Sequence, residues 1–160
     1  SGEDFDAAIR HGRGDWPGLR VDFLLGDRYY PVCSPALLAG PLPLKVPADL
    51  RHHVLLHDTA GEDWRDWLAV AGVTGIEVGR GPSFNDGSLL IQAAMDGQGI
   101  AIGHSALVAG EIGAGRLVKL FETELPSPRA CYLVCPEVNA DRPKIGAFRN
   151  WLLDEVAIGR

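Results

Sequence analysis

Apolar residues along this chain repeat with two periods, two and roughly three and a half, and the changes of period mark out short strands and short helices. The clearest example is FNDGSLLIQAAMDGQGIAI, residues 84–102. It predicts a strand end at Phe84, a helix with Leu89, Leu90, Ala93 and Ala94 on one side, a glycine stop at Gly97 and a buried strand over 99–102. Asn85 and Asp86 stand where a helix start needs acceptors for its free N–H groups. A helix start just beyond a strand end is also where open α/β sheets hold ligands, and both uses remain open for these two residues.

The remaining elements follow in order. FDAAI (5–9) predicts a strand running out at Arg10, His11 and Gly12, before a loop rich in glycine and proline over 13–18. LRVDFLL (19–25) predicts a strand with Val21, Phe23 and Leu25 on one face, and DRYYPVCS (27–34) a second extended segment stiffened by Pro31 and Pro35. Short helical turns are expected at 36–38 and 46–50, and a strand over HVLLH (53–57). Gly61-Glu62-Asp63 opens a helix that stops at Gly72, with Trp67, Leu68 and Ala71 as its inner side. Further strands are expected at 75–78, 116–121 and 130–135, a helix at 104–109, a connector over 122–129, and a last helix led by Asp141 and Pro143 with Ile145, Phe148, Leu152 and Val156 in one stripe. Strands alternating with helices, without an internal repeat, argue an α/β fold.

Composition narrows the function. The 160 residues suffice for one domain or two small lobes with a real core. A net charge of −6 argues against tight phosphate-backbone binding by this chain, which needs clustered Lys and Arg. No apolar run approaches a membrane span, and the start has no signal-peptide pattern; it is expected to be a cut inside a longer cytoplasmic protein. Cys131 and Cys135, four apart on an extended strand, would lie roughly 13 Å from each other, too far for a disulfide. Zinc spacings are absent, and His52, His53 and His57 cannot share one ion if HVLLH is a strand. No glycine-rich nucleotide motif is complete and Cys33 lacks a nucleophile elbow, so neither metal, nor cofactor, nor catalytic residue is expected.

Candidate ligand contacts are few. Arg10 and His11 at a strand end could meet an anion, Arg10 through its planar fork, or Arg10 could pair with a surface carboxylate. His57 could face a cleft from the end of HVLLH or be a hydrogen-bonded histidine with no ligand; Trp64 could line the same cleft or be core.

Eight blocks in order, AAIRHGRGDWPGL, PVCSPALL, PADLRHHVLLH, W-x-x-WL, the 84–102 stretch, GRLVKLF, YLVCP and AFRNWLLDE, resemble the effector-binding domain of LysR-type transcriptional regulators, in the branch similar to glycine cleavage operon activators. The resemblance implies two Rossmann-like α/β lobes of the type 2 periplasmic-binding-protein kind. Lobe I, incomplete, would be 1–33 with 122–160, and lobe II would be 34–121, with crossovers at DRYYPVCS and at 121–129. It implies a small, anionic effector held between the lobes, such as an amino acid, with Arg10, His11, His57, Thr59, Trp64, Asn85 and Asp86 as contacts. It also implies homodimers or homotetramers that bind DNA only through a winged helix-turn-helix missing from this sequence, and no membrane partner. The first strand, helix and strand of lobe I are missing too, so an open sheet edge and compensating tight pairing are expected. Two alternatives share the frame: a transport solute-binding protein, and an enzyme for which His11 with Asp86 is the one nominated acid–base pair.

Overall fold

The computed structural model describes residues 6–59 and 63–158; Phe5, Gly61 and Glu62, which the sequence places in a strand and at a helix start, lie outside them. The chain divides into two compact units, one of residues 1–27 and 127–160 and one of residues 28–126.

In the first unit, β1 (Ala8–Gly12) pairs antiparallel with β7 (Leu125–Pro136), from Ala8 opposite Val134 to Gly12 opposite Ala130. The first part of β2 (Leu19–Cys33) lies on the other side of β7. Arg10 and His11 therefore sit inside β1, opposite Tyr132 and Cys131, and not beyond its end as the sequence suggested. The last helix, α5 (Pro143–Ile158), contributes Ile145 to a small core with Cys135 and Ala140. Phe148 of its expected inner stripe is 42% exposed. Tyr132 organises the loop side of this unit: the rings of Trp16 and Phe23 meet it edge-on at 5.6 and 5.9 Å. Gly14, in the left-handed region at φ 87°, passes against that same tyrosine.

The second unit holds α1 (Pro35–Leu38), a 3-10 turn (Pro47–His52), β3 (Leu55–Asp58), α2 (Asp63–Ala71), β4 (Ser83–Phe84), α3 (Gly87–Met95), β5 (Ile100–His104), α4 (Ser105–Gly113) and β6 (Val118–Lys119). The later part of β2 pairs antiparallel with β5; β5 runs parallel to β3, and β3 parallel to β4. Both faces of this sheet are apolar, as parallel strands between helix layers require. Ile100 and Ile102 of β5 point into a core with Trp64, Trp67, Leu68 and Leu50, while Ala101 points the other way, among Leu90, Ala93, Ala94 and Val108. A Cβ on Gly103 would stand 3.1 Å from both Val32 of β2 and Val108 of α4, so a larger residue there would have to push one of them aside.

Several boundaries differ from those read in the sequence, each for a local reason. Residues 19–33 form one strand, because the backbone stays extended through Gly26 and Pro31 occupies a paired position opposite Ile102. Residues 75–78 are not a strand: Gly75, Gly79 and Gly81 all take positive φ and break the extended run, and pairing resumes only at Ser83. The strand expected at 116–121 shrinks to Val118–Lys119, and Phe121 turns left-handed at φ 64°. The expected connector becomes strand from Leu125. On α3 only Leu90 of the two leucines is buried; Leu89 is exposed. The three cysteines are free, and burial pushes the Cys33 thiol up to about 11, which keeps it protonated and inert.

Candidate ligand site

The second unit builds its site where β3, β4 and β5 all end. These strands run in one direction, and each is followed by a helix: α2 from Asp63, α3 from Gly87 and α4 from Ser105. Helix starts present N–H groups without intrahelical partners and carry partial positive charge, so the carboxyl ends of such strands are where open α/β sheets hold anionic groups. A cavity of about 230 Å³ opens there, with Asp58, Thr59, Asn85 and His104 as its polar wall and Phe84 and Leu90 among its apolar one.

The polar wall is fixed by contacts that join distant segments. His104 precedes α4; its Nε2 lies 3.2 Å from the Asp63 carboxylate at the start of α2, and its ring stacks on Tyr29 with centroids 3.9 Å apart. The carboxylate can only accept, so the imidazole donates through Nε2–H. Ser105 Oγ accepts the backbone N–H of Arg28 at 2.9 Å, which anchors the start of α4 to β2.

The residues nominated from the sequence fall into three groups. Thr59 and Asn85 come together as lining of the cavity. Asp86 is the helix cap: its carboxylate accepts from the Ser88 N–H at 2.8 Å and the Ser88 hydroxyl at 2.6 Å, and does not line the cavity. His57 and Trp64 are buried beneath. His57 donates through Nε2–H to the Arg80 carbonyl at 2.8 Å, and Trp64 donates its indole N–H to the Leu56 carbonyl at 2.9 Å. His57 misses the strand end because β3 runs one residue further, to Asp58.

Arg10 and His11 belong to the first unit. The Arg10 guanidinium lies over the Trp16 ring, 5.9 Å from its centroid, and His11 Nε2 donates to Asp27, a fully buried carboxylate, at 3.0 Å. With His11 engaged by Asp27 and Asp86 spent on its cap, neither stands ready as the acid or base of a reaction. The sequence missed Asp58 and underused His104, although a histidine between an apolar strand and a helix start was a usable signal. His52, His53 and His57 are each engaged separately, with Arg51, the Pro43 carbonyl and the Arg80 carbonyl.

The Asp86 cap carries a pH prediction. The Ser88 hydroxyl and then the Ser88 backbone N–H hold the Asp86 carboxyl below its ordinary value. A carboxyl depressed by folding contributes stability above its unfolded value, near 4, that is lost as pH falls through the lower folded value. Asp86→Ala is expected to lower Tm at neutral pH and to flatten the fall in Tm below about pH 4. An unchanged acid limb in a thermal-melt series would show that the cap adds nothing.

Comparison with known proteins agrees with this architecture. The family model described as the LysR substrate binding domain matches residues 2–157. The chain is 46% identical over 155 residues to the glycine cleavage system transcriptional activator of Escherichia coli (strain K12), covering 97% of this chain and 51% of that protein. It is 33% identical over 154 residues to the glycine cleavage system transcriptional activator homolog of Haemophilus influenzae, again covering 96% of this chain and 51% of the relative. It thus spans about half the length of these relatives. Among solved structures, the effector domain of the transcriptional regulator AmpR of Pseudomonas aeruginosa superimposes with a TM-score of 0.76 at 29% identity, over 98% of this chain and 74% of that one. With strand ends, helix starts and a family model agreeing along nearly its whole length, the chain belongs to the LysR substrate-binding-domain family.

Proposed function

We propose that this chain is the effector-sensing part of a LysR-type transcriptional regulator and not an enzyme. In this reading it works in the cytoplasm within a homodimer or homotetramer, and a small metabolite bound to it alters how another part of the regulator engages DNA. The observation that carries the proposal is the cavity at the ends of β3, β4 and β5, with Thr59 and Asn85 on its wall. Similarity to transcriptional activators supports the regulatory role.

The lining chemistry refines the ligand class. Helix starts with Thr59 and Asn85 suit a carboxylate, whereas Asp58 suits a cationic group, and among the described residues no Lys or Arg lines the cavity. A ligand bearing both a carboxylate and an amino group satisfies each wall; a dicarboxylate leaves a repulsive contact at Asp58. At about 230 Å³ the cavity is below the range usual for drug-sized molecules, which fits a small amino acid. Calorimetric titration of the intact regulator with amino acids, dicarboxylates and amines tests this. Amino acids are expected to give saturable heat, and Asn85→Ala or Thr59→Ala to weaken it roughly tenfold or more, the loss expected for one hydrogen bond to a charged group. Absence of heat with every carboxylate would remove the proposal.

A further inference from the structure

The second unit has a larger hollow at the other end of β3, of about 530 Å³, that among the described residues shares none with the cavity at the strand ends. Among the described residues, Arg51, His52, His53 and Arg80 line it with one carboxylate, Glu77, and a second carboxylate, Asp49, lies close enough to Arg51 and His52 to interact with their charge; buried Leu50 and Leu55 also line it. In a protein of net charge −6 the lining itself is a local reversal of sign.

Arg51 and Arg80 are each held by a neighbour that leaves the guanidinium charge in place, whereas His52 uses its Nε2 as an acceptor. Arg51 and His52 end the 3-10 turn, where Arg51 donates through Nε to His52 Nε2 at 3.4 Å. The terminal amino groups of Arg51 have no protein partner among the described residues. His53 Nε2 donates to the Pro43 carbonyl at 3.0 Å, which fixes its ring. Across the hollow, the backbone at Arg80 is pinned to β3 by His57, through the Arg80 carbonyl at 2.8 Å and, from the His57 N–H, the Pro82 carbonyl at 3.0 Å. The Arg80 side chain meets Glu77 at 3.5 Å with both groups mostly in water, a contact weak enough for a ligand to displace.

We propose that this hollow is a second ligand site, for a small molecule carrying a phosphate group, bracketed by the guanidinium groups of Arg51 and Arg80. A planar guanidinium fork matches a pair of phosphate oxygens, and two forks match a doubly charged group better than a monocarboxylate. The apolar base accommodates the organic part of such a ligand. Two arginines with two carboxylates nearby are too few for duplex DNA, whose affinity grows with the number of phosphates neutralised.

Calorimetric titration of the chain with inorganic pyrophosphate, and separately with inorganic phosphate, tests the site. Saturable binding of pyrophosphate at about 1 mM or below is expected, weaker with phosphate. Arg51→Ala with Arg80→Ala should weaken it at least tenfold, Glu77→Gln should tighten it, and Asn85→Ala, in the other cavity, should leave it unchanged. The charge-retaining pair Arg51→Lys with Arg80→Lys should fall between wild type and the alanine pair, which separates a lost fork from lost folding. Binding that survives the alanine pair, pyrophosphate heat that never saturates, or displacement of pyrophosphate by a short DNA duplex would each overturn the proposal.

Discussion

Trp67→Ala is expected to lower the unfolding free energy by about 3–5 kcal/mol, the usual cost of removing a large aromatic side chain from a close-packed core. Trp67 is wholly buried; its indole N–H donates to the Thr123 carbonyl at 3.0 Å, and its ring meets Trp64 at 6.1 Å and Phe121 at 5.7 Å. The lost stability should appear as a lower urea midpoint with an unchanged slope. Trp67→Phe separates the two contributions, since it keeps most of the apolar volume but leaves the Thr123 carbonyl unpaired, at about 1 kcal/mol beyond the packing loss. The effect extends to function because α2 starts at Asp63, the partner of His104 in the cavity wall. A Trp67→Ala protein as stable as wild type would mean that the tryptophan cluster is not the centre of this core.

Gly81→Ala should cost about 2–4 kcal/mol, from two sources that can be separated. Gly81 has φ 104°, and a Cβ there would run into the Leu55 carbonyl oxygen of β3. Gly75 also has positive φ, at 82°, but a Cβ on it would meet nothing within 4 Å. Gly75→Ala should therefore show the conformational cost alone, about 1–2 kcal/mol. Gly81→Ala should exceed it by whatever is needed to push the 79–82 segment off β3, and should also disturb the two hydrogen bonds from His57 to Arg80 and Pro82. Equal losses for the two variants in thermal melts would refute the close-approach reading.

How far the sequence revealed this protein depended on the distance over which each feature is decided. The helix α3, its cap at Asp86, its stop at Gly97 (φ 79°) and the following strand β5 were all legible in residues 84–102. Each is settled by hydrogen bonds or side-chain periodicity within a few residues. Family membership was legible for a different reason, the order of eight local blocks. The strands were harder. Gly26 separated two extended segments in the sequence reading, yet residues 19–33 form one strand, which pairs with β5 and β7. Conversely, residues 75–78, read as a strand, are bounded by Gly75 and Gly79, which both take positive φ and break the extended run.

The candidate site divides along the same line. Asn85, nominated at a helix start, and Thr59, nominated through the family resemblance, both line the cavity. His57 and Trp64 looked equally suited, and only tertiary contacts show that their ring N–H groups are given to the Arg80 and Leu56 carbonyls. Asp63 and His104 are 41 residues apart, so nothing in either neighbourhood announces that they meet. Sequence alone determined the alternation of elements, the caps and the family, because backbone propensity and local hydrogen bonding act over a turn or two. Tertiary structure alone decided which polar side chains face the cavity and which are used up inside, because a buried donor must find its acceptor wherever the fold brings one within reach.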